Sequence, residues 1–423
     1  LIGVDGSLQR PDETTVAAAC RLALNLDGHV LAIQGPPGTG KTYTGAQIIC
    51  ALKRQGLKVG VTAVSHKVAE HLLEGAVKEA KRQGLELNAV HREDGEYTGA
   101  WGIKYEKDYA AIRRGLADGS IDVVAATAWC WVRPDFEQSV DVLIVDEAGQ
   151  MALSNVLAAS PAGKGLILLG DPQQLEQPLK SSHPEGSEVS ALYHLLAGED
   201  TMPPDRGLFL AETYRLHPDI TRFTSEAYYE GRLRARPGLE WQAIVPPAGS
   251  RSGLYGSGLR FVPVPHIGNQ SRSREEVHAI ARIVEELLGM ARWRNADRKL
   301  APLTAQDILL VAPYNAQVSA LIEALPMLGD RIGTVDRFQG QEAPVVIYSM
   351  ASSSPEDAPR GMEFLYDRHR FNVATSRAKA LCIVVGNPAL FGPECRTPRQ
   401  MRRANGFCSY LELATIVGGS AWV

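Results

Sequence analysis

The sequence lacks any apolar run near the roughly 20 residues that a membrane-crossing helix requires, so no bilayer span is expected. It shows no secretory signal, and its six cysteines (Cys20, Cys50, Cys130, Cys382, Cys395 and Cys408) form no C-x-x-C pair. That scatter argues against a zinc or iron–sulfur site and for reduced thiols in a cytoplasmic protein. No internal repeat of roughly 20–50 residues is present, and no carboxylate cluster suggests a nuclease centre. Positive charge is also short, with a net of −4. This would weigh against a nucleic-acid partner until the chain is divided. Residues 1–200 hold 18 Lys and Arg against 26 Asp and Glu; residues 201–423 hold 26 against 22, and 24 of those 26 bases are arginine. The basic residues cluster at Arg222–Arg236, Arg292–Lys299 and Arg396–Arg403. Each cluster is either a phosphate contact or a solvated face, and local patches govern phosphate contact more than net charge does.

What is present begins with Gly35-Pro36-Pro37-Gly38-Thr39-Gly40-Lys41-Thr42, a full match to the phosphate-loop pattern G-x-x-x-x-G-K-[ST]. His29–Gln34 before it is apolar and of strand length, and Thr44–Leu52 after it has helical spacing. In that setting the glycines let backbone N–H groups turn inward on an anion, and the helix start adds partial positive charge. Lys41 is expected to reach the β- and γ-phosphates of a nucleoside triphosphate, and Thr42 to hold Mg²⁺.

A chain of 423 residues suggests two or three domains. Short apolar runs alternate with helical segments, which predicts α/β layers around parallel sheets. Expected strands in the first half are His29–Gln34, Lys58–Ala63, Ile121–Ala125, Asp141–Val145 and Gly165–Leu169. In the second half they are Leu259–Val264, Asp307–Val311, Arg331–Thr334, Val345–Met350 and Leu381–Gly386. Gly198–Gly207, with its Met-Pro-Pro-Asp, is the expected joint, giving domains of residues 1–204 and 205–423. The charged stretch of about residues 66–120 is expected as a mostly helical insertion, and Pro237–Gly258 as a loop.

Val142–Val145 is apolar and leads into Asp146 and Glu147. An Asp at a strand end beside a phosphate loop can hold Mg²⁺, and the next Glu can orient and deprotonate water. Asp146 is therefore the expected metal residue and Glu147 the expected general base. Leu168-Leu-Gly-Asp-Pro-Gln-Gln-Leu175 repeats the layout, and Gln174 is placed to hydrogen-bond the γ-phosphate or the attacking water. In the second half Arg215 and Arg377 are candidates for the cations that phosphoryl transfer still needs.

Together these blocks resemble the superfamily 1 helicases. The closer branch is that of nonsense-decay helicases, senataxin-like helicases and Okazaki-fragment nuclease-helicases, with the wording GDPQQL and DEAGQ similar to bacterial nuclease-helicases. The matching blocks are GPPGTGKT (35–42), VTAVSHKVAEHL (61–72), VVAATAW (123–129), VDEAGQ (145–150), GDPQQL (170–175), ETYRLHP (212–218), VAPYNAQ (311–317), TVDRFQGQEAPVVIYS (334–349) and NVATSRAKA (372–380). The resemblance implies two RecA-like domains in tandem with ATP in the cleft between them. It implies that Arg215 and Arg377 are arginine fingers, that Tyr214 packs on the base, and that Glu342 contacts the ribose. Thr62, Ser65, Thr127, Pro313 and Thr334 match positions on the nucleic-acid side, where His66, Tyr314, Trp129 and Trp131 are candidates for stacking. Trp131 is equally read as core. The family's adenine-reading glutamine has no counterpart in register, with Gln9 and Glu13 the nearest candidates, and Thr375-Ser376 replaces the usual Leu-Thr. The family's upstream stalk and β-barrel need more than the 34 residues before the loop. With Leu1 in place of methionine, a domain cut from a longer chain is expected, a nuclease domain upstream included. The expected function is 5′→3′ translocation on single-stranded DNA by a monomer. An RNA helicase of the same branch, or a nucleotide-dependent clamp that does not move, remains the alternative.

Overall fold

The computed structural model describes residues 6–94, 96–175, 189–338 and 340–418. The chain divides into two compact units, Leu1–Ala211 and Glu212–Val423.

The first unit opens with α1 (Thr15–Ala23), β1 (Val30–Gln34), α2 (Lys41–Arg54), β2 (Val59–Ala63) and α3 (His66–Arg82). The short strands β3 (Ala89–His91), β4 (Glu96–Thr98) and β5 (Lys104–Glu106) follow, then α4 (Tyr109–Asp118). It continues through β6 (Val123–Thr127), α5 (Ala128–Trp131), β7 (Val140–Asp146), α6 (Leu153–Ala159), β8 (Gly163–Gly170), α7 (Ala191–Leu196) and β9 (Gly207–Phe209). Nine strands form one sheet in the order β4-β5-β3-β6-β2-β7-β8-β1-β9. Every described pair is parallel except β4 with β5. Such a sheet must be covered on both faces, which is why β2 is buried at every position and β7 at all but one. Leu31, Ile33, Val61, Ile144 and Leu169 pack under α1, α2 and α3. Val124, Leu143, Trp131 and Phe136 fill the other face.

Two expectations are corrected here. The stretch 66–120 carries the helices α3 and α4 but is not a separate insertion: three short strands between them extend the main sheet. Its alternation of charged and apolar residues over three-residue strands is too short to register as a strand period. The Met-Pro-Pro-Asp segment leads into β9, which pairs with β1, and so belongs to the first unit.

The second unit runs through β10 (Glu212–Thr213), α8 (Pro218–Tyr228), β11 (Arg234–Ala235), β12 (Ala243–Val245), β13 (Gly258–Pro263) and α9 (Arg274–Met290). Next come β14 (Arg292–Arg294), β15 (Leu300–Pro302), β16 (Ile308–Val311), α10 (Asn315–Ala324), β17 (Ile332–Gly333) and β18 (Ala343–Ser349). It ends with α11 (Gly361–Leu365), α12 (Arg368–Thr375), β19 (Ala378–Gly386), α13 (Pro398–Leu413) and β20 (Thr415–Ile416). Its main sheet is parallel throughout, in the order β17-β16-β18-β19-β13-β20. Ile280, Ile283 and Leu287 of α9 pack on Leu310, Ile347 and Ile383. The helix starts where Ser273 accepts a hydrogen bond from the Glu276 backbone N–H, with Glu275 and Glu276 in the positive first turn. The 237–258 region is not all loop, because β12 lies in a small antiparallel sheet with β14 and β15. All ten strands expected from the sequence are present, their ends displaced by at most three residues.

Candidate functional site

In the first unit the chemistry-bearing residues follow the C-terminal ends of adjacent parallel strands, where open α/β sheets bind ligands. β1 delivers the loop 35–40, and Gly40 caps α2 with φ 82°, a left-handed conformation suited to glycine. Lys41 Nζ donates to the Gly35 carbonyl at 2.9 Å, folding its side chain over the loop. A Cβ at Gly35 would collide with that side chain. Thr39 Oγ1 donates to the Pro36 carbonyl at 2.8 Å, which closes the turn. Pro36 and Pro37 are buried, and Gly38, Gly40, Lys41 and Thr42 are half-buried.

β7 delivers Asp146 and Glu147. Asp146 is buried and accepts the Glu147 backbone N–H at 2.9 Å. Burial first, then the adjacent Glu147 charge, pushes its carboxyl up to about 7 against the partial relief from Lys41. Glu147 has φ 53°, a left-handed conformation uncommon for a residue with a Cβ and often found where geometry serves function. Gln150 Nε2 donates to Glu147 Oε2 at 3.3 Å.

β8 delivers the third loop. Gln174 Nε2 donates to Asp171 Oδ2 at 2.7 Å, so a buried carboxylate orients the expected sensor amide. Asp171 also accepts from Gln34 Nε2 at 3.5 Å and the Gln173 backbone N–H at 3.2 Å. Gly170 joins all three loops: its carbonyl accepts the Gly35 N–H at 2.8 Å. A Cβ at Gly170 would stand 2.6 Å from Gly149 N and 2.7 Å from Ala148 N, both backbone. Lys41, Thr42, Asp146, Glu147 and Gln174 thus sit on loops that touch.

The same edge carries the first unit's nucleic-acid candidates. Ser65 and His66 follow β2, and Thr127 ends the neighbouring β6, in register with Ala63. Ser65 is exposed and caps α3, accepting from the Val68 N–H at 3.4 Å. His66 Nδ1 lies 3.3 Å from His91 Nε2. Thr62 is fully buried in the central strand β2, one residue before its end. Trp131 is core, buried with Nε1 donating to the Val61 carbonyl at 3.2 Å, whereas Trp129 is 80% exposed. Gln9 donates to the Glu13 carbonyl at 2.6 Å, and the Glu13 carboxylate is held by Arg21 at 2.7 and 2.8 Å.

The second unit gathers a different group at the N-terminal ends of β18 and β19. Glu342 accepts a hydrogen bond from Arg215 Nε and pairs with Lys379 Nζ at 2.7 Å. Burial alone would raise the Glu342 carboxyl, but Arg215 and Lys379 outweigh it and hold it below the usual carboxylate range. Arg215 Nη1 donates to the Ser376 carbonyl at 3.4 Å, and Arg377 Nη1 to the Gln341 carbonyl at 3.3 Å. Arg377 is buried, whereas Tyr214 is 53% exposed under the Arg236 guanidinium at 4.8 Å. Arg215, Glu342 and Arg377 are therefore neighbours, and Lys379, which the sequence reading did not single out, completes the group.

At the opposite, C-terminal ends of β16 and β17, Pro313, Tyr314 and Thr334 converge on a groove of about 310 Å³. Asp336, Arg360, Phe364 and Arg370 line it as well. The sequence reading missed these four. The signal available was the run of arginines after Pro359, read only as part of the second half's basic excess.

Two family models described as an AAA domain match the chain, one over residues 17–183 and the other over residues 189–389. The chain is 28% identical over 424 residues to "Putative helicase mov-10-B.1" of Danio rerio, covering 88% of this chain and 40% of that protein. It is 26% identical over 401 residues to "DNA replication ATP-dependent helicase/nuclease dna2" of Schizosaccharomyces pombe, covering 89% and 27%. It is 27% identical over 413 residues to "Regulator of nonsense transcripts 1 homolog" of Neurospora crassa, covering 84% and 35%. The chain therefore spans less than half the length of each of these relatives. With the phosphate loop, paired carboxylates and arginine-bearing blocks in the order set out above, the chain belongs to the superfamily 1 helicases, in the branch of the nonsense-transcript regulators and the replication helicase/nucleases.

Proposed function

We propose that this chain is the ATP-hydrolysing core of a helicase that moves 5′→3′ along single-stranded DNA. The observation that carries the reading is the meeting of three loops at Gly170, which holds Lys41, Asp146, Glu147 and Gln174 on one sheet edge. That set contains what phosphoryl transfer asks of a protein: a phosphate cradle, a metal ligand, a base and a phosphate sensor. Glu147 takes the proton of the attacking water, and Gln174, oriented by Asp171, contacts that water or the γ-phosphate. Arg215 and Arg377 supply positive charge to the transferred phosphoryl group. Tyr214 packs on the base and Glu342 meets the ribose.

The donors fit a divalent cation. Asp146 is a buried carboxylate raised to about 7, a state that a nearby cation relieves, and Thr42 opens the helix at the phosphate loop. Thr42 and Asp146 would hold Mg²⁺, which when bound neutralises phosphate charge.

The strand follows the rim formed by Ser65, His66 and Thr127 in the first unit and by Pro313, Tyr314 and Thr334 in the second. Grip falls on phosphates and sugars, since a motor cannot tolerate strong sequence preference. The direction of travel rests on family membership. The preference for DNA rests on the likeness of the GDPQQL and DEAGQ blocks to nuclease-helicases. Any nuclease activity belongs to a domain outside these residues, and the core acts as a monomer because both arginines lie in one chain.

ATP hydrolysis measured without a strand, then with matched single-stranded DNA and RNA of one length, tests this. Strong stimulation by DNA alone is expected. Equal stimulation by both would replace the DNA reading with an RNA-capable helicase. Clear ATP binding with no stimulation would replace the motor with a clamp.

A further inference from the structure

The groove at the C-terminal ends of β16 and β17 holds two arginines in opposite circumstances. Arg370 is committed: its guanidinium donates to Asp336 at 2.8 and 3.3 Å. Arg360 is exposed, and among the described residues it makes no hydrogen bond or ion pair. It is nonetheless held in place, with Cζ 4.0 Å from the centroid of the Phe364 ring. Phe364 is fixed in turn by the Tyr314 ring at 5.6 Å and by Arg370 at 4.9 Å. A guanidinium carries five N–H donors in a planar fork that matches phosphate oxygens. Bracing on an aromatic face positions that fork without using the donors.

The remaining wall is what a nucleotide asks for. Pro313 and Tyr314 give an apolar surface, and Asn315 and Thr334 give polar side chains. The volume of about 310 Å³ lies at the small end of ligand pockets and suits one nucleotide rather than a larger molecule. Asp336 would repel a phosphate, but its charge is already met by Arg370.

We propose that Arg360, braced on Phe364, binds a backbone phosphate of single-stranded nucleic acid whose nucleotide occupies this groove, with Arg370 and Asp336 as the positioning pair behind it. The proposal rests on the helicase reading above. The ligand chemistry is a phosphodiester, common to DNA and RNA, so both polymers lose the contact equally when Arg360 is removed.

Labelled oligothymidylate and oligouridylate of one length are titrated against the wild-type chain, Arg360→Ala, Arg360→Lys and Phe364→Leu at several salt concentrations. Arg114→Ala, an exposed arginine of the first unit, serves as the control. Arg360→Ala is expected to weaken both polymers about tenfold at low salt and to flatten the log–log salt slope by about 0.7, the share of one phosphate contact on a single strand. Arg360→Lys keeps the slope because it keeps the charge. Phe364→Leu weakens binding with a smaller change of slope, since the charge remains but its brace is gone. Wild-type binding with unchanged affinity and slope in Arg360→Ala overturns the groove and leaves the helicase reading standing. A loss confined to oligouridylate overturns the phosphodiester assignment. A wild-type chain that neither binds nor is stimulated by either strand overturns both readings together.

Discussion

The two units use their sheets differently. In the first, the phosphate loop, the carboxylates, Gln174 and the rim residues Ser65, His66 and Thr127 all follow C-terminal strand ends. In the second, Arg215, Glu342, Arg377 and Lys379 gather where β18 and β19 begin, while the groove of Pro313, Tyr314 and Thr334 lies where β16 and β17 end. The seven residues of β18 separate those two ends by about 20 Å. The contrast extends to charge. The first unit presents a buried carboxylate with little compensation, whereas the second presents cations already paired through Glu342. One site is short of positive charge, and the other holds two cations on a single carboxylate. In the second unit α12 links the two, with Arg370 in the groove and Ser376 and Arg377 just past the helix end among the cations.

The sharpest way to break this contrast is at the cations. Arg377→Ala is expected to cut strand-stimulated ATP hydrolysis by roughly 10³ or more, on the scale of lost arginine fingers. Arg222→Ala, an exposed arginine paired with Glu226 on α8, should leave the rate within twofold. Equal small effects would mean that the second unit's cations do not serve the first unit's chemistry. On the other side, Glu147→Gln removes the base while keeping size and hydrogen-bonding capacity. Turnover should fall by about 10² to 10⁴, with nucleotide and strand affinity retained in equilibrium titrations. Retained turnover would move the base to another residue.

The first unit's site was more legible in the sequence than the second's, for a physical reason. Its residues lie in short contiguous loops, so GPPGTGKT, VDEAGQ and GDPQQL each display a complete local function. Even there, sequence did not reveal that Gly170 touches the other two loops, which is a contact across strands, or that Asp171 orients Gln174, which depends on how one loop folds on itself. In the second unit the pairs are remote in sequence: Arg215 with Glu342 is 127 residues apart, and Asp336 with Arg370 is 34 apart. Arg360 and Phe364 lie in a segment whose composition resembles any surface arginine run. Only the fold brings that segment to Pro313 and Thr334. The buried position of Thr62 was hidden likewise, since a threonine in an apolar strand has the same letter whether buried or exposed.

The smallest expected effect tests the other half of the contrast, the uncompensated carboxylate. Asp146 carries a folded-state value of about 7 against 3.8 when unperturbed, raised first by burial and then by Glu147. Below about 3.8 both folded and unfolded chains hold the proton, and the residue costs nothing. Between there and about 7 the unfolded chain ionises while the folded chain resists, so folding loses stability as pH rises. Above about 7 both are ionised and the loss is constant, on the order of 4 kcal/mol. Asp146→Asn removes the titration, so without nucleotide or metal the variant should gain on the wild type across that window and stay ahead above it. Denaturant unfolding of both proteins across that pH range measures the gap. A parallel pH dependence would show that Asp146 is already compensated, and the first unit would then present no charge deficit for a cation to fill. A widening gap that closes on adding Mg²⁺ with nucleotide would show the converse: the site is destabilising by itself and is completed by its ligand, as functional carboxylates often are.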